Sequence, residues 1–428
     1  MKDTILLICV IFFSFRTYAQ NDLSDIYHGY FKAVEQICKK DNGKLWGINL
    51  YSPILCIDSL RNVWSNEPDN ENKFVKQENI YRGKYPIDKS VANSITEVYG
   101  KKWVMVMVPL PEDELERNIL FTHEIFHYWQ DLLKLISFNY NNAHLEQKDA
   151  RIWLKMEWLA LSKALSTEGE ERRMCIEDAL CFRAYRRSLY PDYVTAENAF
   201  EIHEGIPQYT GMKLCIDSDS LYRAKLDESL EKYLAAENLV RSYAYHSGSV
   251  YGYLLDQSRH DWRKQLNATS DLGSIVQKMY ETFLPVDIQN QCEIRKNKYS
   301  YTRIEKEEQA RDKRKQYELA QIKTVFQTNC ITLPLRKMNI SFNPNRITAL
   351  EGLGTFYKEA RIVDEWGILN VFNIGCLIND AWNSVTIPLS DYKLGNDTKH
   401  IITNDWQLDL NEGFILEKDS LKQEFTAR

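Results

Sequence analysis

The sequence predicts an α+β protein of more than one domain, on three observations. Strand-like, turn-rich texture runs from Leu45 to Pro109, and helical periodicity then dominates from residue 112 to about 290. After Cys330, short apolar runs set among Asn, Asp and Gly predict a β-rich module. With 428 residues the chain is long enough for separate cores, and 44% hydrophobic with 27% charged residues is a globular composition.

The elements follow in order. Residues 1–19 read as a secretory signal: Lys2, an apolar core Ile5–Phe15, then Thr17-Tyr18-Ala19 before Gln20. That core is too short to span a bilayer, so no stable membrane insertion is expected after cleavage, and the protein is expected to be exported, periplasmic or extracellular. The N-terminal part, 20–110, opens with a helix over 20–43 whose apolar side is Ile26, Phe31, Val34 and Ile37. Its candidate strands are Trp46–Tyr51, Ile54–Ile57, Asn79–Arg82 and Trp103–Val108, the last offering an edge to an extended peptide. A helical lobe covers 111–295 and includes an amphipathic stretch Ala150–Leu165. The charged segment 296–327 reads as a solvated helix or linker. The β-rich domain, 328–428, carries runs at Ile331–Leu335, Ile340–Phe342, Ala360–Val363, Leu369–Phe372, Thr386–Leu389 and Phe414–Leu416.

Composition excludes some classes of function. The formal net charge of -6 is spread along the chain without a basic stripe, so no nucleic-acid partner is expected. Beyond the signal, the eight cysteines show no Cys-x-x-Cys spacing. A cysteine zinc site is therefore not expected; disulfides are permitted in an exported chain, and buried thiols are the simpler reading for most.

The chemistry concentrates in His123-Glu124-Ile125-Phe126-His127. On a helix, i and i+4 share a face, so both imidazoles can reach one zinc ion, and Glu124 between them can act as general base on a water. Pro109 and Pro111 precede the run, Glu112 to Glu116 supply acid for the first turn, and Leu115, Ile119, Leu120, Phe126 and Leu133 mark its apolar stripe. A third ligand is expected from Ala196–Tyr209, where Glu204 and, one turn back, Glu201 are the candidates. Gly205 permits close backbone packing. Gln208 shares the face of Glu204 and can bond a ligand histidine, while His203 points away as a packing or supporting residue. Two imidazoles and a carboxylate suit Zn2+.

His123-Glu-x-x-His127, then Glu204-Gly205-x-x-x-Tyr209, then Tyr245-His246-Ser247-Gly248 resembles, in that order, the gluzincin metallopeptidases, the thermolysin-like and aminopeptidase-N-like zinc enzymes. It is closest to exported gluzincin-like proteins with a β-rich C-terminal domain. The resemblance implies a zincin-like catalytic core, Glu204 as third zinc ligand and Tyr245 as oxyanion partner, with His246 the competing donor of the thermolysin kind. The chain departs from the pattern in four places. Residues 128–203, 76 in all, separate His127 from Glu204, as if helices were inserted; Pro207 replaces a small alanine; Ser247 stands where lysine is usual; and the Gly-x-Met-Glu-Asn strand of the aminopeptidases is missing. The expected function is a secreted zinc metallopeptidase acting on a peptide or protein substrate. The alternatives are an amidase acting on a non-peptide amide such as cell-wall material, and a non-catalytic zincin-fold binding protein.

Overall fold

The computed structural model describes residues 23–87, 89–136, 141–258, 260–327, 329–343, 346–350, 352–389, 399–419 and 422–427. The expected signal, 1–19, lies outside them. Among the described residues no helix is long and apolar enough to cross a membrane. The chain divides into two compact units, Met1–Lys306 and Glu307–Arg428.

In the first unit, α1 (residues 23–41) buries Tyr27, Phe31, Val34 and Cys38. The buried stripe is rotated from the expected one, leaving Ile26 exposed, because Tyr27 stacks on Trp64 with ring centroids 4.6 Å apart. Six strands follow: β1 (Ile54–Ile57), β2 (Asn62–Ser65), β3 (Val75–Gln77), β4 (Ile80–Lys84), β5 (Ser94–Val98) and β6 (Lys101–Met107). Their order is β3-β4-β2-β1-β6-β5, with β1 and β6 parallel and the other pairs antiparallel. All four residues of β1 are buried, as in a strand covered on both faces.

Two sequence expectations are corrected here. Trp46–Tyr51 is not a strand: Gly43 and Gly47 take φ of +74° and +78°, and Gly47 N–H bonds Gly43 O at 2.8 Å, closing a turn instead of extending. The strand before the His-Glu helix, β6, is interior to the sheet, and the edge on that side is β5.

The helical part comprises α2 (Glu114–Trp129), α3 (Lys148–Leu165), α4 (Gly169–Leu189), α5 (Val194–Phe200), α6 (Ile206–Cys215), α7 (Asp219–Leu234), α8 (Tyr243–Gln257) and α9 (Leu272–Met279), followed by a helix at Ile288–Arg295. Helix α3, expected to be amphipathic, is buried on more than its apolar side. Ala150 to Trp158 is buried without a break, Arg151, Lys155 and Glu157 included. Arg151 donates to the carbonyls of Ala236 and Glu237, and Lys155 to that of Leu234, so both cations neutralise the C-terminal end of α7. The remaining thiols are unbridged, six of eight buried; Cys181 and Cys292 face each other at 3.3 Å.

The second unit is strand-rich, in two sheets of seven and five strands, antiparallel apart from one parallel pairing of Lys422–Ala427 with Cys330–Pro334. Residues of both sheets share one core, and two tryptophans tie the sheets together: Trp366 Nε1–H donates to Pro334 O at 2.7 Å and Trp406 Nε1–H to Pro388 O at 2.9 Å. The expected runs are all strands, and Ile347–Leu350, Gly354–Tyr357, Cys376–Ile378, His400–Ile402 and Trp406–Leu410 add to them. The charged segment forms a helix, Tyr301–Val325, that is not merely solvated: in this unit its Leu319 and Ile322 cover Leu350, Phe356 and Leu377.

Candidate metal centre

Helix α2 begins where Asp113 accepts from Glu116 N–H at 2.9 Å, with Glu114 and Glu116 in the first turn. Phe121, Ile125 and Phe126 drive its burial, and His123 and Glu124 are carried inside with them. His127 follows one turn after His123.

The facing carboxylate comes from an irregular turn. Residues Glu201–Gly205 form a π turn between α5 and α6, with Ile206 N–H bonding Glu201 O, five residues back. Pro207 explains the irregularity: it has no N–H, and its ring would clash with the carbonyl four residues earlier, that of His203. The π turn sits on α8 through two glycines. A Cβ on Gly248 would lie 2.3 Å from Gly205 Cα. The close approach permitted by Gly205 is thus to α8; toward α2 it is Gly211 that makes room, a Cβ there lying 2.8 Å from Ile119 O.

This packing brings His123, His127 and Glu204 together. The two Nε2 atoms are 3.1 Å apart, and Glu204 Oε2 is 3.3 Å from His123 Nε2 and 3.6 Å from His127 Nε2. Ligand atoms around a tetrahedral ion at about 2.0–2.1 Å lie about 3.3 Å apart, so the triangle fits such an ion. The outer imidazole nitrogens are committed elsewhere. His123 Nδ1 meets Gln208 Oε1 at 3.2 Å, and His127 Nδ1 meets Gln130 Oε1 at 2.8 Å. An Nδ1–H donated to an amide oxygen leaves the Nε2 lone pair turned to the centre. The three residues could therefore hold a metal ion.

Glu201 is not available as a ligand. Its carboxylate is fully buried and held by both Nη atoms of Arg183, at 2.8 and 2.6 Å. Arg183 also reaches Glu157 at 3.0 Å and Asp271 at 3.2 Å, and Arg186 and Arg187 bind Glu197. This buried network on α3, α4 and α5 anchors the start of the π turn, three residues before Glu204. It was not foreseen from sequence, although Arg183, Arg186 and Arg187 share a helical face, as do Glu197 and Glu201.

The electrostatics follow from the geometry. Burial opposes ionisation of Glu204, yet its hydrogen bonds with His123 and His127 outweigh this and hold the carboxyl far below the usual range. Burial likewise disfavours a charged His127, but Glu204 overcomes it and raises the imidazole pKa. Burial raises Glu124, partly offset by His123 and His127. His203 belongs to the surroundings of the centre: its ring lies 5.2 Å from that of His127, and burial, with His127 adding, lowers its pKa to about 4.

Tyr245, on the first turn of α8, stacks on His123 with ring centroids 5.4 Å apart and planes 17° apart. Burial and the neighbouring Glu204 carboxylate push its phenol pKa upward, so it remains a donor. His246 faces elsewhere: its Nδ1 meets Ser229 Oγ at 3.0 Å and its ring lies edge-on to Trp158. Tyr209 is a packing residue, its hydroxyl on Asp256 and its ring against Gly252. A cavity of about 410 Å³ opens onto His123, Glu124, Gln208 and Tyr245, and one face of α7 is also part of its lining. Comparison with protein-family models, with curated proteins and with solved structures returned no match.

Proposed function

We propose that the chain is an exported zinc-dependent metallopeptidase of the gluzincin type, built on a zincin-like core. The observation that supports this best is the convergence of His123, His127 and Glu204 at zinc-ligand spacing with Glu124 lining the same cavity. Export rests on the pattern of residues 1–19.

When bound, the zinc supplies Lewis acidity, which makes water acidic near neutral pH and polarises an acyl oxygen. The protein's residues do the rest. Glu124 takes a proton from the water that attacks the amide carbon, and passes it to the leaving amine. Burial, which favours the protonated form of this carboxyl, helps it hold the proton until the amine leaves. Tyr245, protonated and beside His123, donates its O–H to the oxyanion. Gln208 and Gln130 keep the two imidazoles oriented.

The test is Glu124→Gln. Zinc binding should stay within about threefold of wild type, since Glu124 is not among the ligands, while peptide hydrolysis should fall by at least about a hundredfold. Hydrolysis at the wild-type rate by this variant would refute the mechanism.

A further inference from the structure

The cavity has a second polar wall that the reaction does not use. It is one face of α7, where Lys225, Glu228, Ser229, Lys232 and Tyr233 fall at helical steps of three and four and all line the cavity. Part of this wall is satisfied internally. Lys225 Nζ bonds Glu116 at 2.7 Å and Glu228 at 2.9 Å. The next turn is not. Lys232 lies four residues after Glu228, yet among the described residues no carboxylate comes within 4.0 Å of its ammonium, which lies instead 5.5 Å from the centre of the Tyr233 ring; Glu228 is engaged by Lys225. The Tyr233 hydroxyl has no hydrogen-bond partner among the described residues, and burial raises its pKa to about 12, keeping its proton.

Ser229 completes the group. Its Oγ meets Nδ1 of His246, an imidazole that is 1% exposed and whose Nε2 has no partner. Burial lowers the His246 pKa to about 3, so the ring is neutral and carries one proton. An orphaned lone pair is better tolerated in apolar surroundings than an orphaned N–H, so the proton belongs on Nδ1 and is donated to Ser229. The Ser229 O–H is then left to point into the cavity. Among the described residues, three donors without an acceptor, one of them cationic, thus line at i, i+3 and i+4 the same cavity as Glu124.

We propose that Ser229, Lys232 and Tyr233 form a carboxylate-recognition subsite, so that the substrate is a peptide with a carboxylate, C-terminal or of an acidic side chain, close to the bond attacked. A carboxylate offers acceptor positions for all three donors and neutralises the one cation of the wall that has no carboxylate beside it. The inference rests on the peptidase reading for the position of the scissile bond, not for the binding itself.

The experiment uses the zinc-loaded full chain carrying Glu124→Gln, and fluorescence anisotropy with N-terminally labelled hexapeptides. One arm compares a free C-terminus with its amide. The other compares a single Glu with Gln in an amidated peptide. In one arm the carboxylate form should bind at least about tenfold more tightly, and that arm identifies the source. Lys232→Met, at an exposed position that leaves folding intact, should abolish the preference, and Ser229→Ala should reduce it. Carboxylate forms that bind no better than their amides, absence of binding by any peptide, or a preference that survives Lys232→Met would overturn the subsite. Hydrolysis by the wild type is scored separately. A carboxylate preference without hydrolysis refutes the peptidase reading and leaves the subsite standing; hydrolysis without preference does the reverse.

Discussion

Gly248→Ala is expected to loosen the metal centre without touching any ligand. The new Cβ would lie 2.3 Å from Cα, 2.5 Å from C and 2.7 Å from O of Gly205. Carbon atoms in contact sit about 3.5 Å apart or more, so α8 and the π turn must separate by about 1.2 Å. Both sides are backbone, which no rotamer change can relieve, so the penalty sits near the top of the overpacking range, about 3 kcal/mol. Replacing a mid-helix glycine by alanine returns about 1 kcal/mol of propensity, leaving a net loss of about 2 kcal/mol. Glu204 precedes Gly205 directly, and metal–ligand distances tolerate only about 0.2 Å, so zinc affinity should fall at least about tenfold. Urea unfolding of the chelator-stripped protein reads the first effect, and competition with a chromophoric chelator reads the second. Gly29→Ala is the control, since nothing lies within 4 Å of its Cβ on the exposed side of α1; it should stabilise by about 0.5–1 kcal/mol. If Gly248→Ala also stabilised, or left zinc affinity within twofold, the argument from close backbone packing would be refuted.

Three further outcomes follow from the surroundings of the site. Glu201→Gln removes the bidentate partner of buried Arg183, which keeps Glu157 and Asp271, and should destabilise by about 1–3 kcal/mol in urea unfolding, while His123, His127 and Glu204 remain in place. Gln130→Leu removes the acceptor for His127 Nδ1 and should weaken zinc about 10–100-fold in chelator competition; unchanged affinity would show that the imidazole needs no such orientation. His246 has a folded pKa lowered to about 3 against about 6.5 unfolded, so the unfolded chain binds the extra proton in between; stability from this group is complete above pH 6.5 and lost as pH falls toward 3. The urea midpoint of His246→Phe should therefore fall less steeply than that of wild type over that window, and identical slopes would refute the assignment.

Helix α2 was legible in the sequence because every signal is local. The acidic first turn, the apolar stripe and the His-Glu-x-x-His spacing all act within one element. Glu204 could be placed near that helix, but the choice between it and Glu201 could not be made from spacing. In the structure Arg183, 18 residues before Glu201, takes the Glu201 carboxylate with its guanidinium and leaves that of Glu204 beside the two histidines. Gln208 was legible from its position four residues after Glu204, whereas Gln130 was not, because its second partner is a backbone carbonyl made available only by the three-dimensional course of the π turn. The mistaken strand at Trp46–Tyr51 has the same origin in backbone conformation: its apolar alternation is real, but two glycines at positive φ fold it into a turn. The burial of α3 was hidden because Arg151, Lys155 and Glu157 are charged, and their partners lie far along the chain.

Pro207 looked in the sequence like a defect in the ligand helix, and the structure gives it a constructive place. Without an N–H it cannot bond the His203 carbonyl, and the π turn diverts Ile206 from Ile202 to Glu201. Two adjacent carbonyls are thereby released from the helix ladder inside the protein, where they need donors. Gln130 Nε2 answers both, at 2.9 Å from His203 O and 3.5 Å from Ile202 O. An amide so anchored has its oxygen fixed in direction, and that oxygen lies 2.8 Å from His127 Nδ1. The same irregularity that carries Glu204 to the centre therefore also orients His127 on the opposing helix. A regular helix through residues 201–210 would satisfy its own carbonyls, leave Gln130 without an anchor, and remove one of the two amide contacts that aim the imidazoles at a common point.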